Sequence, residues 1–265
     1  MSAKEFDPQL RKMDDELAGW NEPAERLRHA LAKDELVLYC QPIAALSGAV
    51  RFPMAEVLVR LREEEKTLLP PGQFLPLFEH YRMMPDLDRW VVRKVVQHLA
   101  THKRIPRFSV NLSSQTLEDE AFPKAVALEL VSAGVPGTAL LFEMSEADAL
   151  FRPEHSLRFS AAIRAVGCEL MVGGFGRRAA TFMPLKTLRP DYVKVDGVIV
   201  RKLLSAPAAE AKLKAIIRVG EVMGFQIIAE MVEEQDILTL LKALGVSYAQ
   251  GFGIREPHPI ELLQG

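Results

Sequence analysis

The sequence predicts an α/β protein folded as a (β/α)8 barrel of the TIM type. Short runs rich in Val, Ile, Leu and Phe alternate with longer helical patterns from about residue 36 to the end. Eight such runs can be counted, and the length of 265 residues is close to the roughly 250 typical of that barrel. A doubly wound open sheet is the competing arrangement. The G-x-G-x-x-G fingerprint that such sheets often carry after their first strand is absent, which counts against it.

The elements follow in order. Residues 1–22 are expected to form an amphipathic helical extension, because "FDPQLRKMDDELAGW" places Leu10, Met13, Leu17 and Trp20 on one stripe. That helix either packs on the barrel or serves as a dimerisation helix or a connection to a signalling domain. The barrel domain is expected over 23–265. Its strands are read at "LVLYCQPI" (36–43), "EVLVRL" (56–61), "FSVNLS" (108–113), "LLFEMSE" (140–146), "ELMVGGF" (169–175), "YVKVD" (192–196), "QIIAEMVE" (226–233) and "YAQGFGI" (248–254). Between them lie helices such as "MPDLDRWVVRKVVQHLATH", where Leu87, Val91, Val95 and Leu99 recur every four residues and share one face.

Composition narrows the function. The formal net charge is −2, with no long basic block or aromatic–basic interleaving, so no footprint for a nucleic-acid polymer is present. No apolar run approaches the roughly 20 residues of a membrane-spanning helix, and no signal-peptide pattern opens the chain. A cytoplasmic protein is expected. The two cysteines, Cys40 and Cys168, lie in apolar strand-like surroundings and read as reduced, packed thiols.

In a barrel of this kind ligand-binding groups come from the C-terminal ends of several strands. Standing there are Glu56 and Arg60, Asn111, Glu143 and Glu146, Gly173 and Gly174, Lys194 and Asp196, Glu230 and Glu233, and Gln250. Carboxylates converging on one mouth repel one another unless a cation offsets them. Oxygen donors of this kind select hard cations such as Mg²⁺, Mn²⁺ or Ca²⁺, and two such ions side by side suit phosphodiester hydrolysis.

"LVLYCQPIAALSGAV", "EVLVRL", "FSVNLSS", "FEMSE", "GGFG", "YVKVD", "AEMVE" and "YAQGF" occur in the order and spacing of the EAL domains of bacterial cyclic di-GMP phosphodiesterases, which the chain resembles over roughly residues 24 to 260. The resemblance implies a role for each matching position. Glu56, in the place of the first signature residue, together with Asn111, Glu143 and Glu233, corresponds to metal ligands or their supporting groups. Glu230 corresponds to the general base and Lys194 to the lysine that positions the attacking water. Gln41, Leu58, Arg60, Asn111 and Gln250 correspond to nucleotide contacts, Arg60 presenting paired donors to a phosphate oxygen. Glu146 corresponds to the glutamate that steadies the loop used in dimer coupling.

The chain departs from the family at its centre. Gly173 and Gly174 stand where the family has two consecutive metal-binding aspartates, and Arg177 and Arg178 replace a small polar pair in the loop that follows. One arginine is expected to swing toward Glu143, Glu230 or a bound phosphate; the alternative is that both are exposed loop residues. Met231 replaces a glycine beside Glu230, and Glu256 stands where the family often has a basic or polar group. Without the aspartates no cofactor is expected, Mg²⁺ or Mn²⁺ being needed only if activity is retained. The implied function is a degenerate, catalytically inactive receptor or regulator that binds cyclic di-GMP, with a regulatory protein partner and a homodimer as further expectations. The alternatives are a protein-interaction module with no nucleotide, or a weak phosphodiesterase that yields pGpG.

Overall fold

The computed structural model describes Trp20 and residues 22–63, 67–102, 107–178 and 181–262. Ten strands occur among the described residues: β1 (Leu36–Ala45), β2 (Met54–Arg62), β3 (Leu68–Leu69), β4 (Phe108–Asn111), β5 (Leu140–Ser145), β6 (Glu169–Phe175), β7 (Tyr192–Val195), β8 (Gln226–Ala229), β9 (Tyr248–Ala249) and β10 (His258–Pro259). Eight of them close into a barrel in the order β1-β2-β4-β5-β6-β7-β8-β9, with β3 added to β2 and β10 to β1. The eight are the runs read from the sequence. The stretches expected over 226–233 and 248–254 end early, at Ala229 and Ala249. Beyond those points the two chains press together: Val232 donates to the Gln250 carbonyl and Gly253 to the Val232 carbonyl, both at 3.0 Å. The extension expected over 1–22 lies outside the described residues, apart from Trp20 and Glu22.

The strict βα repeat fails at one strand. β1 runs antiparallel to β2, from Leu36↔Leu61 to Ile43↔Met54, and antiparallel to β9 through Ala44↔Ala249. The remaining barrel neighbours are parallel. The cause is loop length. Residues 46–53 are too few for a parallel crossover, which needs about a dozen residues or more, so β1 and β2 form a hairpin. It turns at Ser47-Gly48, where Gly48 has φ +92°.

Strand pleating sorts the side chains into layers. Inside the barrel, Ile43, Met54, Leu141, Met171, Tyr192 and Ile228 form one buried apolar cluster with Tyr248 packed against it. Two positions nearer the mouth on the same strands stand Gln41, Glu56, Glu143, Gly173, Lys194, Glu230 and Gln250. A spacing of two keeps each on the same face as its apolar partner, displaced by roughly 7 Å. The barrel is thus plugged below and polar above. The intervening strand residues, among them Val57, Val110, Phe142, Val172, Val193 and Ile227, face outward into the main core under the helices. Cys40 and Cys168 are free and buried, and burial pushes each thiol up to about 12.

Helix Met84–Thr101 buries Leu87, Val91, Val95 and Leu99 as its periodicity requires, and also Asp88. The Asp88 carboxylate accepts from the Ser113 N–H at 3.1 Å and from Thr116 Oγ1 at 2.6 Å, pinning the turn that follows β4. Burial raises its carboxyl to about 6, against these hydrogen bonds. Because its folded value lies above the unfolded one, the stability it contributes is complete below the unfolded value of 3.8 and is lost as pH rises through about 6. Urea denaturation of the protein and of Asp88→Asn from pH 4 to pH 8 is expected to show the native protein gaining on the variant by on the order of 2 kcal/mol toward the acid end.

Candidate functional site

The mouth is organised around one ammonium. Lys194 Nζ, on β7, donates to Glu56 Oε2 on β2 and to Glu143 Oε2 on β5, each at 2.8 Å. Glu56 accepts further from Asn111 Nδ2 at 2.8 Å and from Gln250 Nε2 at 2.7 Å. Gln250 also donates to Gln41 Oε1 at 3.0 Å, and Gln41 Nε2 donates to the Arg255 carbonyl at 3.0 Å. A continuous network therefore runs from Lys194 inside the barrel to Gln41 at the rim. Leu58 and Arg60 lie on the same face of β2 as Glu56. The Arg60 guanidinium sits 5.2 Å from the Tyr39 ring and donates to the Val59 carbonyl at 2.9 Å; among the described residues it has no carboxylate partner.

Burial alone disfavours the Lys194 ammonium, but Glu143 and Glu56 more than reverse this and hold it above its usual range. Burial also works against the Glu56 carboxylate, which Lys194, Asn111 and Gln250 nevertheless keep below its ordinary value. Glu143 goes the other way: burial, with Glu56 nearby, outweighs Lys194 and raises it. Glu230 is half-buried, and desolvation raises its carboxyl to about 7 despite Lys194. A carboxyl there can hold or release a proton near neutrality. Glu233, by contrast, is exposed outside this network.

A pair of hard cations needs several anionic oxygens turned into a common space. Glu56 has both oxygens engaged by donors, and Glu143 Oε2 accepts from Lys194 and, at 3.4 Å, from Ser109 Oγ. Positions 173 and 174 supply no side-chain oxygen. Among the described residues no group of three or more His, Cys, Asp or Glu is arranged to hold a metal ion.

The glycine pair forms a bulge. β6 pairs with β7 at Val172↔Val193 and again at Phe175↔Val195, so three steps on one strand meet two on the other. Gly174 takes φ +63° there. A Cβ at Gly173 would lie 2.9 Å from Glu143 Cδ and 3.0 Å from its Cγ, because the Glu143 side chain occupies the space above this glycine.

Neither arginine swings into the mouth; both are exposed loop residues, as the alternative reading has it. Arg177 and Arg178 are exposed, and the Arg178 guanidinium rests 5.3 Å from the ring of Phe151, itself 69% exposed. The backbone explains this. Glu146, buried, accepts from the Gly176 N–H at 2.9 Å and the Arg178 N–H at 3.2 Å, while Lys212 Nζ donates to the Gly176 carbonyl. The loop is held with its side chains outward, and Lys194 already pairs with Glu143. Lys212, Ser109 and Asp88 escaped the sequence reading. Ser109 could have been found, since it stands two residues before Asn111 on an inward-facing strand position.

Met231 has φ +56° and packs against Gly197, where a Cβ would meet its Cβ and Cγ at 2.7 Å; Arg201 Nη1 approaches its sulfur at 3.1 Å. Glu256 is exposed beside Pro257.

A plugged barrel with an acidic and amide-rich mouth defines a (β/α)8-barrel protein. The chain belongs to the EAL domain family, whose model matches residues 24–257. It is 32% identical over 240 residues, 89% of this chain and 28% of the relative, to the cyclic di-GMP phosphodiesterase PdeB of Shewanella oneidensis. It is 28% identical over 253 residues to PdeF of Escherichia coli, covering 94% of this chain and 33% of that protein. The chain thus spans about a third of the length of these curated relatives. Among solved structures it resembles the PaMucR phosphodiesterase in complex with cyclic di-GMP, at TM-score 0.83 and 27% identity, covering 92% of this chain and 100% of that one. The FimX EAL domain of Pseudomonas aeruginosa bound to cyclic di-GMP gives TM-score 0.84 and 27% identity, covering 89% and 96%.

Two substitutions separate space from backbone strain. Gly173→Ala forces Glu143 aside and is expected to lower stability by about 1–3 kcal/mol in urea denaturation. Met231→Gly removes a side chain from a left-handed backbone position and is expected to raise stability by about 1 kcal/mol in the same assay.

Proposed function

We propose that this chain binds cyclic di-GMP at the barrel mouth as a receptor, without metal-dependent hydrolysis. The observation that carries the reading is the state of position 173: no carboxylate stands there, and the Glu143 side chain fills the space and bonds to Lys194. The donor set does not fit a two-cation centre, because two expected anionic ligands are glycines and the oxygens of Glu56 are committed to Lys194, Asn111 and Gln250. The residues that the resemblance assigns to nucleotide contact, Gln41, Leu58, Arg60, Asn111 and Gln250, are all present by contrast. Gln41, Glu56, Asn111 and Gln250 are tied into one network, and Arg60 has no anionic partner among the described residues to compete with a phosphate. Two solved relatives at 27% identity bind cyclic di-GMP, which supports the same ligand here. No helix among the described residues is long and apolar enough to cross a membrane. Output to a regulatory protein or through a homodimer is proposed to pass by the 173–178 segment, whose backbone Glu146 holds.

Calorimetric titration with cyclic di-GMP in EDTA and then in Mg²⁺, with analysis for pGpG, tests this. Binding that is independent of Mg²⁺ and leaves the nucleotide intact is expected. Arg60→Ala should weaken it by roughly 10–100-fold, the loss of a charge-assisted phosphate contact. Appearance of pGpG would favour the weak phosphodiesterase, and absence of binding in both buffers would favour an interaction module. A complementary variant places aspartates at both glycines. Gly173→Asp with Gly174→Asp is expected to gain Mn²⁺ or Mg²⁺ affinity by calorimetry once Glu143 is displaced; Gly174→Asp alone, with its Cβ 3.9 Å from Asp196 Oδ2, should gain little.

A further inference from the structure

Lys194 is the only buried lysine or arginine among the described residues, and from β7 it reaches carboxylates on β2 and β5, two strands that β4 separates. We propose that Lys194 is a resident counter-ion: its ammonium joins Glu56 to Glu143, so that the mouth assembles and holds its ligand-facing network without a divalent cation. The inference rests on the receptor reading and deepens it, by naming what takes over the charge balance.

Three features support it. Both carboxylates lie 2.8 Å from the same Nζ, a distance at which a primary ammonium makes charge-assisted hydrogen bonds. The Glu143 carboxyl lies over Gly173, with Cδ 2.9 Å from where a Cβ would stand, so a side chain at position 173 would have to displace it from this position. The glycine thus leaves room for the Glu143 carboxyl in the position from which it bonds to Lys194. Finally, the Glu56 oxygen that accepts from Lys194 also accepts from Gln250, which reaches Gln41. Fixing Glu56 fixes the amides at the rim.

The test uses the whole chain with no nucleotide, so failure of the nucleotide titration leaves its outcome readable. Thermal melts in EDTA and in Mn²⁺ are combined with Mn²⁺ titration followed by electron paramagnetic resonance. The unaltered protein is expected to melt at one temperature in both buffers and to show no saturable Mn²⁺ binding below about 1 mM. Lys194→Met leaves the carboxylates uncompensated and should melt roughly 10 °C lower in EDTA. Mn²⁺ should recover most of that loss, with at least a tenfold gain in Mn²⁺ affinity. Adding Glu143→Gln to Lys194→Met removes one of the two repelling charges and should restore the melting temperature without Mn²⁺. The proposal is overturned if the unaltered protein is stabilised by Mn²⁺ as much as Lys194→Met is, or if Lys194→Met matches the unaltered protein in EDTA. If Lys194→Met does not fold, the double variant decides: a folded double variant supports the counter-ion, and an unfolded one overturns it.

Discussion

The contact of Lys194 with Glu56 and Glu143 is the constraint on which the mouth of this barrel depends. β2, β5 and β7 are not neighbours in the sheet, so these two ion pairs span the interior and tie three separated strands at one level. Moving two carboxylates out of water costs several kcal/mol each, and the mutual attraction offsets this only when the remaining oxygens are also satisfied. Here they largely are, through Asn111, Gln250 and Ser109. Such an arrangement is weak ground for claiming net stability. It is good ground for claiming a fixed geometry, because any member left alone would be a buried charge.

That geometry rests on the pleat. Ile43, Met54, Leu141, Met171, Tyr192 and Ile228 each lie two residues from a mouth position, so the apolar plug and the polar layer are written into the strands as one alternation. The eight strands were legible for this reason, and so was the shared inward face of Gln41, Glu56, Asn111, Glu143 and Lys194, which follows from strand period; Glu233, read beside them, stands exposed outside the network. The reversal of β1 was legible in principle, since residues 46–53 leave no room for a crossover helix. It escaped because apolar runs announce a strand and carry no direction.

Other features could not have been read. Asp88 sits on a helix whose apolar stripe is complete without it, and its partners Ser113 and Thr116 are 25 and 28 residues away. Lys212 reaches the Gly176 carbonyl across 36 residues. The outward course of Arg177 and Arg178 follows from that contact and from Glu146, not from the charge of the arginines, which by itself favours the acidic mouth.

The glycine pair shows where sequence comparison stops and physical chemistry continues. Set beside the aspartates that the resemblance implies there, Gly173 and Gly174 read as subtraction: two ligands gone, a cavity left behind. In the folded chain the space above Gly173 is filled by the Glu143 side chain from the neighbouring strand. Gly174 holds the bulge that offsets β6 from β7 with a backbone conformation an ordinary side chain resists. The two glycines thus leave room for the Glu143 carboxylate and accommodate a bend. The charges of Glu143 and Lys194 meet at hydrogen-bonding distance beside the glycines. That mutual fit is what the proposed metal-free receptor requires of the mouth.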